Sequence, residues 1–246
     1  MSDAAVQGSL SHALVAGGAS GIGRATVELL ASKGLHGLVI DSSTPEDLPA
    51  GWDHHRVDIS DLFALQRSVA ELRRVLPPPQ LLVNAAGVNG VAASAFEVDG
   101  AEWDRVHAVN LRGAFFLGRD VLDWMRERGG GNIINVASQL ASVVVRPNPH
   151  YQVAKAGVLQ VTRVLALEGA PHGVSVNTVS PGIVTTPMTD RVMKDEQWKA
   201  DRLASIPVGR FASADEIAEV IVAVGLVQTP YLTGTEIVVD GGYLLM

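Results

Sequence analysis

Tyr151 and Lys155 lie four residues apart in a segment with helical patterning. Both side chains therefore project from one face, about 6 Å apart along the axis. An ammonium beside a phenol favours the phenolate and brings the tyrosine closer to exchanging a proton near neutral pH. Alone the pair is weak, because many amphipathic surface helices carry that spacing. It gains meaning from Ser138, 13 residues before Tyr151 and just past the apolar run 132–136, where a hydroxyl can hold a reacting oxygen. Asn110 is a polar residue among Val109, Leu111 and Phe115, and by itself reads equally as a helix-kink or capping asparagine. Side chains of these four types can pass a proton to or from an alcohol or a carbonyl.

Such groups need a frame. Short apolar runs at 12–17, 38–41, 56–58, 81–84, 132–136, 174–179 and 236–239 read as strands. Helical patterning covers 22–33, 61–76, 101–128, 150–167, 190–203 and 213–224, with Ser60 or Asp61 available as a cap and Pro77, Pro78 and Pro79 as a stop. The strands lack polar alternation, so both sheet faces are covered. Alternation of strands and helices predicts an α/β fold, a doubly wound parallel sheet of about seven strands with helices on both faces. Residues 1–246 read as one domain, with 1–11 as a loose N-terminal segment.

Composition removes several classes of function. Nineteen basic against 26 acidic residues give a net charge of −7, unlike the basic face that a nucleic-acid binder needs. The 246 residues include no cysteine, which excludes disulfides, thiolate metal sites and a cysteine nucleophile, and fits a reducing compartment. No run of 18 apolar residues predicts a membrane span, and the start lacks a basic stretch followed by an apolar one, so the expected location is cytoplasmic. No Gly-x-Ser-x-Gly elbow supports a serine hydrolase. Adjacent His54 and His55 lack a third ligand, and no His-Glu-x-x-His occurs, so no metal is expected.

Gly17, Ser20, Gly21, Ile22 and Gly23 join the first strand to the first helix. Glycines there let the backbone turn sharply and approach a ligand, and the helix start offers free N–H groups to a phosphate. Asp41 ends the next strand, 24 positions after Gly17, where a carboxylate accepts hydrogen bonds from ribose hydroxyls and repels a 2′-phosphate. Ser42 follows it, not Arg or Lys, which favours NAD over NADP. The plainer alternative is a tight turn followed by a surface acid. The ordered succession strand, glycines, helix, strand, acid favours dinucleotide binding.

Together these residues resemble the short-chain dehydrogenase/reductase family in its compact form, over nearly the whole chain from about His12 to Gly242. The family's Thr-Gly-x-x-x-Gly-x-Gly turn resembles 16–23, its Asn-Asn-Ala-Gly strand end resembles Asn84, Ala85, Ala86 and Gly87, and its Pro-Gly-x-Val-x-Thr segment falls on Pro181, Gly182, Val184 and Thr186. Ala16 and Ala85 depart from the pattern where the family has polar bracing residues. The resemblance implies catalytic roles for Asn110, Ser138, Tyr151 and Lys155. Tyr151 would exchange the alcohol proton and Ser138 hold the substrate oxygen. Lys155 would bind the nicotinamide ribose, and Asn110 organise a water chain. Asp41 would hold the adenosine ribose and Asp58, with Ile59, the adenine, while Ile183 and Thr186 would face the nicotinamide.

The same resemblance implies a Rossmann-like fold, NAD-dependent oxidation of a secondary alcohol such as a sugar, polyol or hydroxy acid, and a homotetramer. It places the substrate among 139–145, 146–150 and 184–203. There Val143, Val144 and Val145 would form an apolar wall, Gln139, Asn148 and Arg146 polar contacts, and 190–203 a mobile lid. His150 reads as a loop or dimer-contact residue. A 3-oxoacyl-carrier reductase is the runner-up; such enzymes usually favour NADP, which Asp41 followed by Ser42 opposes. A non-catalytic NAD-binding protein is the third reading.

Overall fold

The structure is a computed structural model and describes residues 12–246, so the expected loose segment 1–11 lies outside the described residues. The elements run β1 (His12–Ala16), α1 (Gly21–Ser32), β2 (His36–Asp41), β3 (Trp52–Arg56), α2 (Leu62–Val75), β4 (Leu81–Asn84), α3 (Gly100–His107), a π-helical turn (Ala108–Gly113), α4 (Ala114–Arg126), β5 (Gly131–Val136), α5 (Pro149–Gly169), β6 (Val174–Pro181), β7 (Val184–Thr185), α6 (Glu196–Leu203), β8 (Ala212–Ser213), α7 (Ala214–Gly225) and β9 (Glu236–Val239).

Seven strands form one parallel sheet in the order β3-β2-β1-β4-β5-β6-β9. The order reverses between β1 and β4, and ligands of doubly wound sheets bind outside the carboxyl ends at such a point. Successive strand residues point to opposite faces. Leu14, Leu82, Ile133 and Val176 enter one core, packed with Leu65 of α2, Leu117 and Trp124 of α4 and Leu165 of α5. Ala13, Val15, Val83 and Ile134 enter the other, packed with Val27 and Leu30 of α1 and Ile217 and Ile221 of α7.

Three expectations are corrected. The third strand is Trp52–Arg56, not 56–58. Among the described residues it is an edge strand paired to β2 alone, with Trp52 buried, and its polar residues hide it from an apolar-run reading. The segment 101–128 is not one α-helix: the π-turn Ala108–Gly113 interrupts it. The segment 190–203 divides at Asp195, whose side chain accepts from the Trp198 N–H and caps α6. The two-residue pair β7–β8, which lies beyond the main sheet, was not foreseen.

Candidate active site

The glycine-rich turn is built by close approach. Gly17 has φ +77°, and a Cβ on it would come 2.6 Å from the Ala86 nitrogen. A Cβ on Gly23 would come 2.1 Å from the Gly17 carbonyl oxygen, so only glycine lets α1 begin so tightly against β1. Ala85 N–H donates to the Ala16 carbonyl at 2.9 Å. The two alanines that replace polar bracing residues thus tie β1 and β4 together through backbone alone. Ser20 is the N-cap of α1 but makes no side-chain cap, which leaves the first-turn N–H groups of Gly21, Ile22 and Gly23 to a ligand. Thr186 lies across the turn, 3.5 Å from where a Cβ on Gly21 would sit, bringing the segment after Pro181 over the cleft.

At the other side of the turn, Asp41 Oδ2 accepts from the Ala19 N–H at 3.0 Å and Oδ1 from the Ser43 N–H at 2.9 Å. Each oxygen keeps acceptor capacity for a hydroxyl. Asp58 is exposed and turns back on the Ser60 N–H, while the Ile59 side chain is buried in the core, leaving Ile59 its backbone to offer. Asn84, which the resemblance places among the cofactor-binding residues, ends β4. Its side chain is buried between β4 and β5, with Nδ2 at 3.4 Å from the Ala114 carbonyl and 3.5 Å from Asn135 Oδ1.

Ser138, Tyr151 and Lys155 come together at the carboxyl end of β5. Ser138 leaves the strand, caps the short turn Gln139–Ala141, and its Oγ accepts from the Leu140 N–H at 3.2 Å. Ser138 faces Tyr151, which α5 brings back across the sheet end. One turn further, Lys155 is 4% exposed; its Nζ donates to the Val136 carbonyl at 2.7 Å and lies 5.8 Å from the Tyr151 ring centroid. Burial pulls Lys155 down to about 8. Burial raises the Tyr151 phenol, and its Ser138 hydrogen bond works the other way. Desolvation therefore outweighs the lowering that Ser138 supplies.

Asn110 sits in the π-turn, where the wider winding aims its amide at the loop after β4. A Cβ on Gly87 would lie 3.0 Å from Asn110 Oδ1 and 3.5 Å from Lys155 Nζ, so Gly87 marks where the two converge.

Around this centre, Pro181 and Val184 are buried, and Gly182 and Ile183 are partly exposed at the end of β6. Gln139 Oε1 is buried without a partner among the described residues, 3.0 Å from a Cβ built on Gly182. Asn148 is left-handed at φ 75°, donates to Asn89 Oδ1 at 3.4 Å, and leaves its own Oδ1 buried and unpartnered among the described residues. Arg146 and Val144 are exposed on the loop ahead of α5. Sequence reading missed Gln152. Its amide grips that loop, taking the Val145 N–H at 2.9 Å and donating to the Val145, Pro147 and Asn148 carbonyls at 2.6, 3.0 and 3.1 Å. Nothing in one sequence distinguishes it from a surface glutamine. His150 is fully buried within the chain rather than presented on a loop, with Nε2 3.9 Å from Glu102 Oε1.

These residues could hold a dinucleotide: a turn that admits no Cβ at Gly17 or Gly23, uncapped helix N–H groups, the carboxylate of Asp41 beside them, and Ser138, Tyr151 and Lys155 at the carboxyl end of β5. Comparison with known proteins agrees. A family model described as enoyl-(acyl carrier protein) reductase matches residues 17–244. The chain is 31% identical to an NAD-dependent glycerol dehydrogenase of Listeria innocua, covering 95% of this chain and 93% of that one. It is 37% identical to a D-threitol dehydrogenase of Mycolicibacterium smegmatis, over 95% and 92%. A crystal structure from Beutenbergia cavernae, a candidate NAD(P)-dependent gluconate 5-dehydrogenase with NADP at low occupancy, superposes with a TM-score of 0.91 at 32% identity, over 96% and 97%. The chain belongs to the short-chain dehydrogenase/reductase family of oxidoreductases.

Proposed function

We propose that the protein is an NAD-preferring dehydrogenase that interconverts a small polyol or sugar-type secondary alcohol and its ketone. The observation that carries the chemistry is the Ser138–Tyr151–Lys155 arrangement, with Lys155 anchored at 2.7 Å on the Val136 carbonyl. A bound nicotinamide would supply the hydride acceptor. Tyr151 takes the hydroxyl proton of the alcohol at its phenolic oxygen, and Ser138 Oγ steadies the same substrate oxygen. Lys155 Nζ orients the nicotinamide ribose, and Asn110 holds the Val88 segment beside it. Gly17, Gly21 and Gly23 admit the pyrophosphate, with Gly87, Pro181, Gly182, Ile183, Val184 and Thr186 lining the nicotinamide side. Asp41 selects the unphosphorylated ribose, and Asp58 and Ile59 border the adenine.

The polyol class is supported by two relatives named for glycerol and D-threitol. It is also supported by the buried, unpaired carbonyl oxygens of Gln139 and Asn148, which suit a substrate rich in hydroxyl donors. Exposed Val153, Val164 and Leu167 share one face of α5, in keeping with a homotetramer. The cysteine-free composition accords with a cytoplasmic setting.

The test is nicotinamide absorbance with NAD and NADP across polyols, sugars, sugar acids and an acetoacetyl thioester. Turnover of a polyol with NAD in excess of NADP supports the reading. Reduction of the thioester with NADPH instead would make it a 3-oxoacyl-carrier reductase, and tight NADH binding with no turnover a binding protein.

A further inference from the structure

Arg24 follows Gly23 in the first turn of α1, and sequence reading passed over it. Its guanidinium lines the same pocket as Asp41, together with Ala19, Ser20, Ser43 and Asp47. It is not free. Nε donates to Glu28 Oε1 at 2.7 Å, Nη2 donates to Asp47 Oδ1 at 3.0 Å, and Nη1 donates to the Asp47 carbonyl oxygen. The Arg24 side chain is 20% exposed, whereas that of Asp47 is 84% exposed. The loop after β2 is thus folded back onto a guanidinium that shares the pocket of Asp41.

We propose that Arg24 is a concealed ligand for a ribose 2′-phosphate and that Asp47 withholds it, so that cofactor choice is set by Asp41 and Asp47 together. The inference rests on reading the cleft as a dinucleotide site. A planar guanidinium matches two phosphate oxygens, and here its donor edges are turned to carboxylates instead. Glu28, Asp41, Glu46 and Asp47 set four negative charges against the single positive charge of Arg24 around this pocket. A 2′-phosphate brings close to two more negative charges, so the pocket rejects it doubly: by the field of the acids and by the engagement of its one cation. Replacing Asp41 alone leaves three acids and an occupied guanidinium. Replacing Asp47 as well releases Nη2 and reduces the tie between Arg24 and the loop to one carbonyl contact.

The experiment compares adenosine 2′,5′-bisphosphate with 5′-AMP by calorimetry, and NADPH with NADH by nicotinamide fluorescence. It uses the full chain and Asp41→Ser, Asp47→Ser, the double variant, and the double variant carrying Arg24→Met. Asp47 lies on an exposed loop, so unchanged thermal melting is expected. The double variant should bind the 2′-phosphorylated ligands at least tenfold more tightly than Asp41→Ser does. Arg24→Met should remove that gain, and added salt should shrink it. The proposal is overturned if Asp41→Ser alone gives the whole gain, or if the gain survives Arg24→Met. Binding of NADH and 5′-AMP to the wild type with no effect of Asp47 overturns this inference alone. Failure of the wild type to bind either overturns the dinucleotide reading with it.

Discussion

The side-chain amide of Asn110 pairs with both backbone groups of Val88: Nδ2 donates to the Val88 carbonyl at 2.7 Å, and Oδ1 accepts its N–H at 2.8 Å. This two-point clamp fixes the chain just after Gly87, the residue wedged between Asn110 and Lys155. Asn110→Ala removes both bonds and strands two backbone groups. The expected cost is about 2 kcal/mol, seen as a fall in Tm of roughly 4–8 °C. Turnover should fall with it, because the loop beside Lys155 loses its support. Unchanged melting would show that the clamp is dispensable.

Tyr151→Phe removes the phenolic oxygen and keeps the ring packed. Positioned general acid–base groups contribute about 10²- to 10⁴-fold to rate. The expected result is a kcat lowered by at least that lower bound, with NADH affinity changed little. Stopped-flow and fluorescence titration measure the two quantities separately. Residual activity within a few-fold of wild type would assign proton transfer elsewhere.

Gly23→Ala places a Cβ where the Gly17 carbonyl oxygen stands, 2.1 Å away. Backbone must move to relieve this, and the moving part is the cradle itself. NADH binding should be lost or weakened more than tenfold, with a drop in Tm. Gly34→Ala serves as the control for glycine replacement in the same region: its Cβ meets open space, although its φ of +80° adds local strain. It should lower stability without abolishing NADH binding.

Burial holds Lys155 at about 8, well below the ordinary lysine value. Below that pH the folded chain keeps a charge that its site disfavours. Between about 8 and 10.5 the unfolded chain holds a proton that the folded chain has released, so stability rises with pH across that window. The raised Tyr151 phenol acts oppositely above its ordinary value of 10, where only the unfolded chain ionises. Urea denaturation of the cofactor-free protein from pH 7.5 to 9.5 should show the rise, and Lys155→Met should flatten it. An equal slope in both proteins would place the titration on another group.

The α6 helix has no buried residue, and the short turn Val192–Lys194 before it has none either. Little apolar contact holds this segment down, so its amides should exchange readily in the free protein. If it closes over the substrate as a lid, NADH with substrate should slow exchange across 190–203 far more than across α7. Equal protection with and without ligands would make α6 an ordinary surface helix.

Much of this was legible in one dimension. The glycines at 17, 21 and 23, the acid at 41, and the Ser138–Tyr151–Lys155 spacing encode local geometry, because turn sterics, strand ends and helical periodicity act over a few residues. Strand existence followed from apolar runs, except at β3, where an edge strand needs only Trp52 inside and so carries no apolar signature. The sequence by itself determined which groups could move a proton and which turn could hold a phosphate. Only tertiary structure decided that the Asn84 side chain is buried between β4 and β5, that Gln152 pins the loop before it, and that Arg24 is claimed by Asp47 from another loop. Those outcomes depend on contacts between residues 23 or 30 positions apart, or on the direction in which an amide points. Side-chain direction and burial are set by the packed sheet, because a polar atom's partner is whatever the fold brings within 3 Å or so of it.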